Sequence, residues 1–150
     1  MKSILLALLF SLQYCIAQDA DLDPVSWTFH AEKNEDGKTI LSFDAKIDDK
    51  WGVYSQYLAE GGPIPTSIVF EEVKGCTLSP KNTEDGEKHE GYDEMFAMDV
   101  VKYKHWMKLT TTVEPDKKCG KVKGYLEFMC CDDTRCLAPK QVPFEFEIKK

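Results

Sequence analysis

Apolar and polar residues alternate with a period of two in two clear stretches of the chain. Leu41, Phe43, Ala45 and Ile47 alternate with polar residues, and the same pattern recurs at 144–148. Because successive side chains of a strand point to opposite faces, this pattern predicts half-buried strands. Shorter runs of similar character predict further strands, at 26–31, 51–54, 66–70, 98–103, 106–113 and 122–131.

Turn-forming residues separate these runs, and no window of a dozen residues has the spacing of an amphipathic helix. About eight short strands without intervening helices predict an all-β fold, an immunoglobulin-like antiparallel β-sandwich. The polar stretch 79–92 shows no periodicity, and we interpret it as a long loop. Long loops in compact domains often carry function.

The start of the chain has the composition of a secretory signal peptide. Lys2 supplies a positive charge, residues 4–12 are apolar, and Ala17 is a small residue suited to a cleavage site. We therefore expect residues 1–17 to be removed on export. Residues 18–150 would then form one domain in the periplasm or another extracytoplasmic compartment.

Membrane attachment of the mature chain is disfavoured. Cys15 would have to accept a lipid in a lipoprotein, but bulky residues stand at 12–14, where small ones are expected. The apolar run 4–12 is shorter than the roughly 20 residues that span a bilayer. We expect no membrane span after cleavage.

The chain is acidic, with a formal net charge of −7. Lys2 is the one charged residue of the predicted signal peptide, so its removal takes the charge from −7 to −8. An acidic domain repels phosphate backbones and anionic lipid headgroups. Nucleic acid is therefore not an expected partner.

Three of the six cysteines fall within seven positions, at 130, 131 and 136. Outside the cytosol this spacing predicts disulfides rather than a metal site. If residues 122–131 form one strand, Cys130 shares the apolar face with Leu126 and Phe128, and Cys131 is the exposed thiol. Consecutive Cα atoms lie only about 3.8 Å apart, too close for a typical disulfide. Cys136 therefore pairs with Cys131 or, as the alternate partner, with Cys130.

Cys76 and Cys119 are candidates for a structural disulfide. Closing a loop of roughly 43 residues stabilises a fold by about 4 kcal/mol, against about 2 kcal/mol for a loop of roughly five residues. A short-loop disulfide with an accessible sulfur is suited to thiol exchange. The alternative is that both bonds are inert cross-links.

Other chemistries find less support. Zinc sites need paired short spacings of Cys and His, whereas His30, His89 and His105 are scattered, so we expect no metal and no cofactor. A cysteine nucleophile would need a histidine that the fold brings close, which the sequence leaves open. The acidic pairs at 93–94 and 132–133 fit a solvated face of an acidic chain.

Several short motifs, taken in order, resemble the N-terminal periplasmic domain of the thiol:disulfide interchange protein DsbD. They are PVSW at 24–27, DDKWGVYS at 48–55, GGPIPT at 61–66 and CDDTRCLAP at 131–139. The resemblance spans nearly all of residues 18–150 and implies an immunoglobulin-like sandwich. It also implies an electron relay, in which a dithiol is reduced by a thioredoxin-like protein and then reduces disulfides of other exported proteins.

The resemblance also implies roles for individual residues. Cys131 and Cys136 would be the redox pair, with Cys136 forming mixed disulfides, although relatives with five intervening residues point to Cys130. Tyr54 matches an aromatic position beside the pair. A cap loop, residues 93–96, would cover the pair, with Met95 or, after a one-residue slip, Phe96 as the shield; its members are Asp93, Glu94, Met95 and Phe96.

Two departures from the family pattern accompany this resemblance. Residues 138–139 read Ala-Pro where the family has two prolines, and Cys130 adds a neighbouring thiol. A full DsbD also continues into a membrane conduit and a thioredoxin-like domain. The implied activity is that of a protein-disulfide reductase component. The alternative is a non-catalytic binding or structural sandwich with inert disulfides.

Overall fold

The computed structural model describes residues 22–115 and 119–148. The predicted signal peptide, residues 1–17, lies outside the described residues, and the domain bounds 18–150 stay a prediction. The described residues form ten β-strands and no α-helix. In chain order the strands are β1 (Val25–Lys33), β2 (Thr39–Ile47), β3 (Gly52–Tyr54), β4 (Ser67–Lys74), β5 (Cys76–Leu78), β6 (Thr83–Asp93), β7 (Met98–Pro115), β8 (Lys121–Phe128), β9 (Cys130–Cys131) and β10 (Lys140–Glu147).

The strands form two antiparallel sheets. One has seven strands in the order β1-β2-β7-β3-β9, with β5 and β6 also paired to β7. The other has three strands in the order β10-β8-β4. The all-β, immunoglobulin-like prediction is confirmed. Across residues 22–115 and 119–148, no helix combines the length and apolar character needed to cross a membrane.

The main core lies between the two sheets and is rich in aromatic rings. Phe43 of β2 meets Phe144 and Phe146 of β10 with ring centroids 5.0 and 5.6 Å apart. The inward positions of β2 are those that the alternation predicted, because Leu41, Phe43, Ala45 and Ile47 are all buried. Edge-to-face packing of such rings adds to the free energy gained from their burial.

The interpretation of residues 79–92 as a loop is wrong. Strand β6, Thr83–Asp93, pairs with β7 along its length, with a register shift between Gly86 and Glu87. Among the described strands β6 pairs with β7 alone, and both of its faces are largely exposed. Because its backbone hydrogen bonds and not a buried face hold it in place, its sequence needs no apolar alternation.

Two other predicted strand boundaries also change. The strands predicted at 98–103 and 106–113 are one strand, β7, with His105 at a positive φ of 59° beside the register shift. The strand predicted at 122–131 is instead divided at Met129. β8 lies in the three-stranded sheet, whereas β9 pairs with β3 of the seven-stranded sheet. The chain therefore changes sheets immediately before the adjacent cysteines.

Candidate functional site

A disulfide joins Cys131 to Cys136, with the Cα atoms 4.0 Å apart. Cys131 lies on β9, held by β3, where Gly52 is its pairing partner. Cys136 returns to form an isolated antiparallel bridge with Cys131. The Leu137 amide donates to the Cys130 carbonyl at 3.0 Å, which continues this short ladder by one step.

The loop between the bonded cysteines is organised around Asp132. Its Oδ1 accepts hydrogen bonds from the Thr134 amide at 2.7 Å, the Thr134 hydroxyl at 2.8 Å and the Arg135 amide at 2.8 Å. These donors, the Thr134 amide first, lower the pKa of Asp132. A short polar side chain that bonds to the backbone two and three residues on is a typical turn former. The loop thus brings the two sulfurs together without support from a helix.

The three cysteines differ in burial. Cys131 is only 2% exposed, so the prediction that it is the exposed thiol is wrong. The cause is the change of sheet at Met129, which places Cys131 in a second apolar cluster with Tyr54, Val100 and Met129. Cys136 is half-buried and packs against this cluster from outside. Cys136 is therefore the more accessible sulfur of the bonded pair.

Cys130 is unpaired and buried. It belongs to the main core together with Leu126 and Phe128, as the alternation predicted. Burial raises the pKa of its thiol to about 11, the charge of Asp23 adds to this effect, and Lys140 opposes it. Asp23 and Lys140 form an ion pair of 2.7 Å. At neutral pH Cys130 is therefore a protonated thiol.

The cap loop follows directly from strand β6 and turns into β7. Phe96 is half-buried, packs against the second cluster and meets the Tyr54 ring edge-on, with centroids 5.9 Å apart. Met95 is 43% exposed, and Glu94 is also exposed. The structure thus brings Tyr54, Phe96, Cys131 and Cys136 together around one apolar cluster, and leaves Met95 and Glu94 outside it.

Asp93 anchors the start of the cap loop. Its Oδ2 lies 2.5 Å from Lys102 Nζ and accepts a hydrogen bond from the Tyr54 hydroxyl at 3.2 Å, while its Oδ1 accepts the Met95 amide at 3.0 Å. Burial favours a raised pKa for Asp93, but the ammonium of Lys102 and the hydrogen bonds outweigh it and lower the pKa. The buried group is therefore a carboxylate at neutral pH.

Tyr54 contacts the Asp93–Lys102 ion pair through both its hydroxyl and its ring. Lys102 Nζ lies 5.1 Å from the centre of its ring, and the Tyr54 carbonyl accepts the Thr66 hydroxyl at 2.6 Å. Burial first, and the Asp93 charge second, raise the pKa of Tyr54 far above its usual range. Its hydroxyl therefore stays protonated and donates to Asp93.

Sequence reasoning missed Lys102. It stands opposite Tyr54 in the β3–β7 ladder, and this register places its ammonium on Asp93. No motif in the sequence marks this lysine, because its role depends on the pairing of strands that are distant along the chain. Arg135 was also not predicted as a contact of Trp51, yet its guanidinium carbon lies 6.0 Å from the centre of that ring.

The remaining cysteines are joined as well. Cys76, at the start of β5, bonds to Cys119, just before β8, with Cα atoms 4.8 Å apart and a sequence separation of 43. Cys119 is buried in the main core. This bond ties the seven-stranded sheet to the segment that leads into the three-stranded sheet.

Two of the histidines, His89 and His105, contact the same glutamate. His89 Nε2 and His105 Nδ1 contact Glu87 at 3.1 and 2.8 Å. In the part of the chain that the structure describes, no group of three or more His, Cys, Asp or Glu side chains is placed to hold a metal ion.

Fold and site together define a class of protein: an immunoglobulin-like sandwich that carries a short-loop disulfide beneath a capping turn. Solved structures that share this fold include the following two. The N-terminal periplasmic domain of ScsB from Proteus mirabilis superposes with a TM-score of 0.61 and 13% identity, over 87% of this chain and 49% of that one. The DsbD N-terminal domain from Neisseria meningitidis, in the reduced form, gives a TM-score of 0.55 and 14% identity, over 83% and 86% of the two chains.

This chain spans about half the length of the ScsB structure. At these identities the likeness concerns the fold, and the chain has the fold of DsbD-type N-terminal domains. No protein-family model matches the sequence, and a search of curated proteins gave no significant match.

Proposed function

We propose that this protein is an exported thiol-disulfide exchange module. In this proposal the Cys131–Cys136 pair receives electrons from a thioredoxin-like donor and passes them to disulfide-bonded exported proteins. The observation that carries the proposal is the position of the pair. A half-buried sulfur and a buried sulfur are bonded through a short loop, beside a capping aromatic ring, in a fold of the DsbD type.

The unequal burial of the two sulfurs supports a direction for the exchange. An incoming thiolate attacks the sulfur that it can reach, which is Cys136, and the leaving sulfur is then Cys131. The bond between Cys136 and the partner forms as the Cys131–Cys136 bond breaks. Cys131 takes up a proton, and the second thiolate of the donor attacks the donor's own sulfur in the mixed disulfide, which releases Cys136 and leaves the pair reduced. With a client, Cys136 attacks the client disulfide, and Cys131 then attacks Cys136 Sγ and releases the reduced client.

The compartment is part of the proposal. A signal peptide at 1–17 would deliver residues 18–150 to an oxidising space, in which both disulfides can form. Intact-mass measurement on protein from the exporting cell tests this step. A chain beginning at or just after Gln18 is expected, and a retained Met1 would contradict export by cleavage.

The reduction potential of the Cys131–Cys136 pair tests the exchange function. Equilibration with glutathione buffers should give a value of about −200 mV, in the range of exchanging dithiols. The Cys76–Cys119 bond is an internal control, since a structural bond should stay oxidised in the same buffers. A value well below about −300 mV for Cys131–Cys136 would instead identify an inert cross-link.

A second candidate is a binding or structural sandwich in which both disulfides are inert. The 2% exposure of Cys131 favours this alternative, because a buried sulfur is poorly placed to meet a partner. A mixed disulfide with thioredoxin separates the two candidates. The Cys130→Ser/Cys131→Ser variant, which keeps Cys136, should displace glutathione from a single-cysteine thioredoxin that carries glutathione on that cysteine, and should stay bonded to it. The Cys136→Ser variant should not.

A further inference from the structure

A cavity of about 350 Å³ opens beside the candidate site, on the side of the main core. Cys130 and Cys136 both line it, together with Phe128 and Leu137. Cys131 is not among its lining residues and lies in the second cluster with Tyr54. Cys136 thus borders both the second cluster, which holds its bonded partner, and the cavity, which a free, buried thiol also lines.

We propose that Cys130 is a third exchanging thiol, which attacks Cys136 Sγ and moves the disulfide from Cys131–Cys136 to Cys130–Cys136. This inference rests on the proposed exchange function, because it uses the same reactive sulfur. The step needs no oxidant. The thiol of Cys130 loses its proton, the new S–S bond forms as the old one breaks, and Cys131 leaves as a thiolate that takes up a proton.

The cavity reaches Cys136 from a side that Cys131 does not line. A thiolate attacks a disulfide sulfur along the S–S axis, from the side opposite the leaving sulfur. Cys131 is held in the second cluster, and the cavity meets Cys136 without contacting Cys131. A volume of about 350 Å³ leaves room for the Cys136 side chain to turn, since one water occupies about 30 Å³ in the liquid.

The backbone already holds the two residues close. The Leu137 amide donates to the Cys130 carbonyl at 3.0 Å, which fixes the segment after Cys136 against Cys130. Five residues separate the two cysteines in sequence, enough for the turn built on Asp132 to close either bond. The same bonded loop can therefore present Cys136 to both neighbours.

The rate of this exchange is set by the buried thiol. A thiolate is the nucleophile, and burial raises the pKa of Cys130 to about 11. The charged groups that face it are Asp23, from the segment before β1, and Lys140 of β10, and these two are paired with each other. Below that pKa the thiolate fraction, and with it the exchange rate, should rise about tenfold for each pH unit.

The test uses Cys131→Ser with oxidised glutathione. Cys136 attacks glutathione disulfide and becomes a glutathione adduct; Cys130 then displaces the glutathione, leaving a Cys130–Cys136 bond that peptide mapping and intact mass detect. The matched control is Cys130→Ser/Cys131→Ser, in which the adduct should persist. An adduct that is equally long-lived in both variants would overturn the role of Cys130. No adduct in either variant would contradict the exchange function of Cys136 itself, and with it this inference.

A second measurement uses the unmutated chain, in case Cys131→Ser folds poorly. Oxidised protein is held at about pH 7, 8 and 9 with no added thiol, quenched with acid and mapped under non-reducing conditions. The Cys130–Cys136 linkage should appear about tenfold faster with each step in pH. Cys130→Ala protein is the control for other rearrangements. A map that shows Cys131–Cys136 alone at every pH would refute the proposal.

Discussion

Phe96 packs edge-on against Tyr54, with ring centroids 5.9 Å apart and ring planes at 85°. Tyr54 lies in the second cluster beside Cys131, and Phe96 closes that cluster from the cap loop. Met95 and Phe96 were the two candidates for the residue that shields the disulfide. Phe96 packs against the second cluster, whereas Met95 is 43% exposed and lies outside that cluster. This pair of rings links the capping turn to the environment of the disulfide.

Replacing Phe96 by Ala should speed reduction of Cys131–Cys136 by a small thiol. An aromatic pair contributes about 0.5–1.5 kcal/mol beyond burial, so the loss corresponds to roughly twofold to tenfold in rate if it all opposes closure. Stopped-flow reduction with dithiothreitol measures it. Met95→Ala is the matched control and should react like the parent, because Met95 is 43% exposed. Equal rates for all three proteins would show that the cap loop does not gate the disulfide.

The buried Asp93 should make stability depend on pH. Its folded pKa lies below the ordinary 3.8, so the unfolded chain binds more protons between the two values. The stabilisation is fully present above about pH 5 and is lost as the pH falls through 3.8 towards the folded pKa. Urea unfolding at about pH 7 and pH 3 should therefore show a smaller pH effect in Asp93→Asn than in the parent.

At neutral pH, Asp93→Asn should cost about 1.5–3 kcal/mol, the usual loss for a hydrogen bond to a charged group. The substitution removes the carboxylate that pairs with Lys102, whose side chain is only 21% exposed. Glu94→Gln is the control, because Glu94 is exposed and next to it in sequence. If the two variants lose the same stability and share one pH profile, the Asp93–Lys102 pair does not anchor the cap loop.

Side-chain periodicity predicted the strands that bury one face. β2 and β10 are examples, because each sends alternate residues into the core between the sheets. β6 could not be found in this way. Most of its side chains are charged or small, and most are exposed. Its order comes from backbone pairing with β7, which produces no alternation of apolar and polar residues.

The sequence predicted which cysteines form the candidate site, but not how the residues around them are arranged. Strand alternation placed Cys130 in the core correctly, yet it also made Cys131 exposed, because it assumed one continuous strand across Met129. Because the chain changes sheet there, Cys130 and Cys131 are both buried. The role of Lys102 could not be predicted for a related reason. Its contact with Asp93 depends on the registers in which β3 and β6 pair with β7.

Gly124 should tolerate no side chain. An added Cβ would lie 1.9 Å from the Val69 carbonyl oxygen and 2.9 Å from Phe144 Cζ, so β4 and β8 would have to separate. Gly124→Ala should lose about 1–3 kcal/mol or more of unfolding free energy. Gly120→Ala is the control, because nothing lies within 4 Å of a Cβ there. Thermal or urea unfolding compares them, and equal midpoints would contradict the close packing of β4 on β8.

The two disulfides should differ in how much stability they provide. Loop-entropy estimates give about 4 kcal/mol for Cys76–Cys119, which closes 43 residues, and about 2 kcal/mol for Cys131–Cys136, which closes 5. Urea unfolding of the Cys76→Ala/Cys119→Ala and Cys131→Ala/Cys136→Ala variants tests this order. The difference matters for exchange, because a disulfide that is broken during exchange should contribute little to the free energy of unfolding. If loss of Cys131–Cys136 destabilised the fold as much as loss of Cys76–Cys119, its opening would unfold the domain that presents it, and the inert cross-link would be the better account of both bonds.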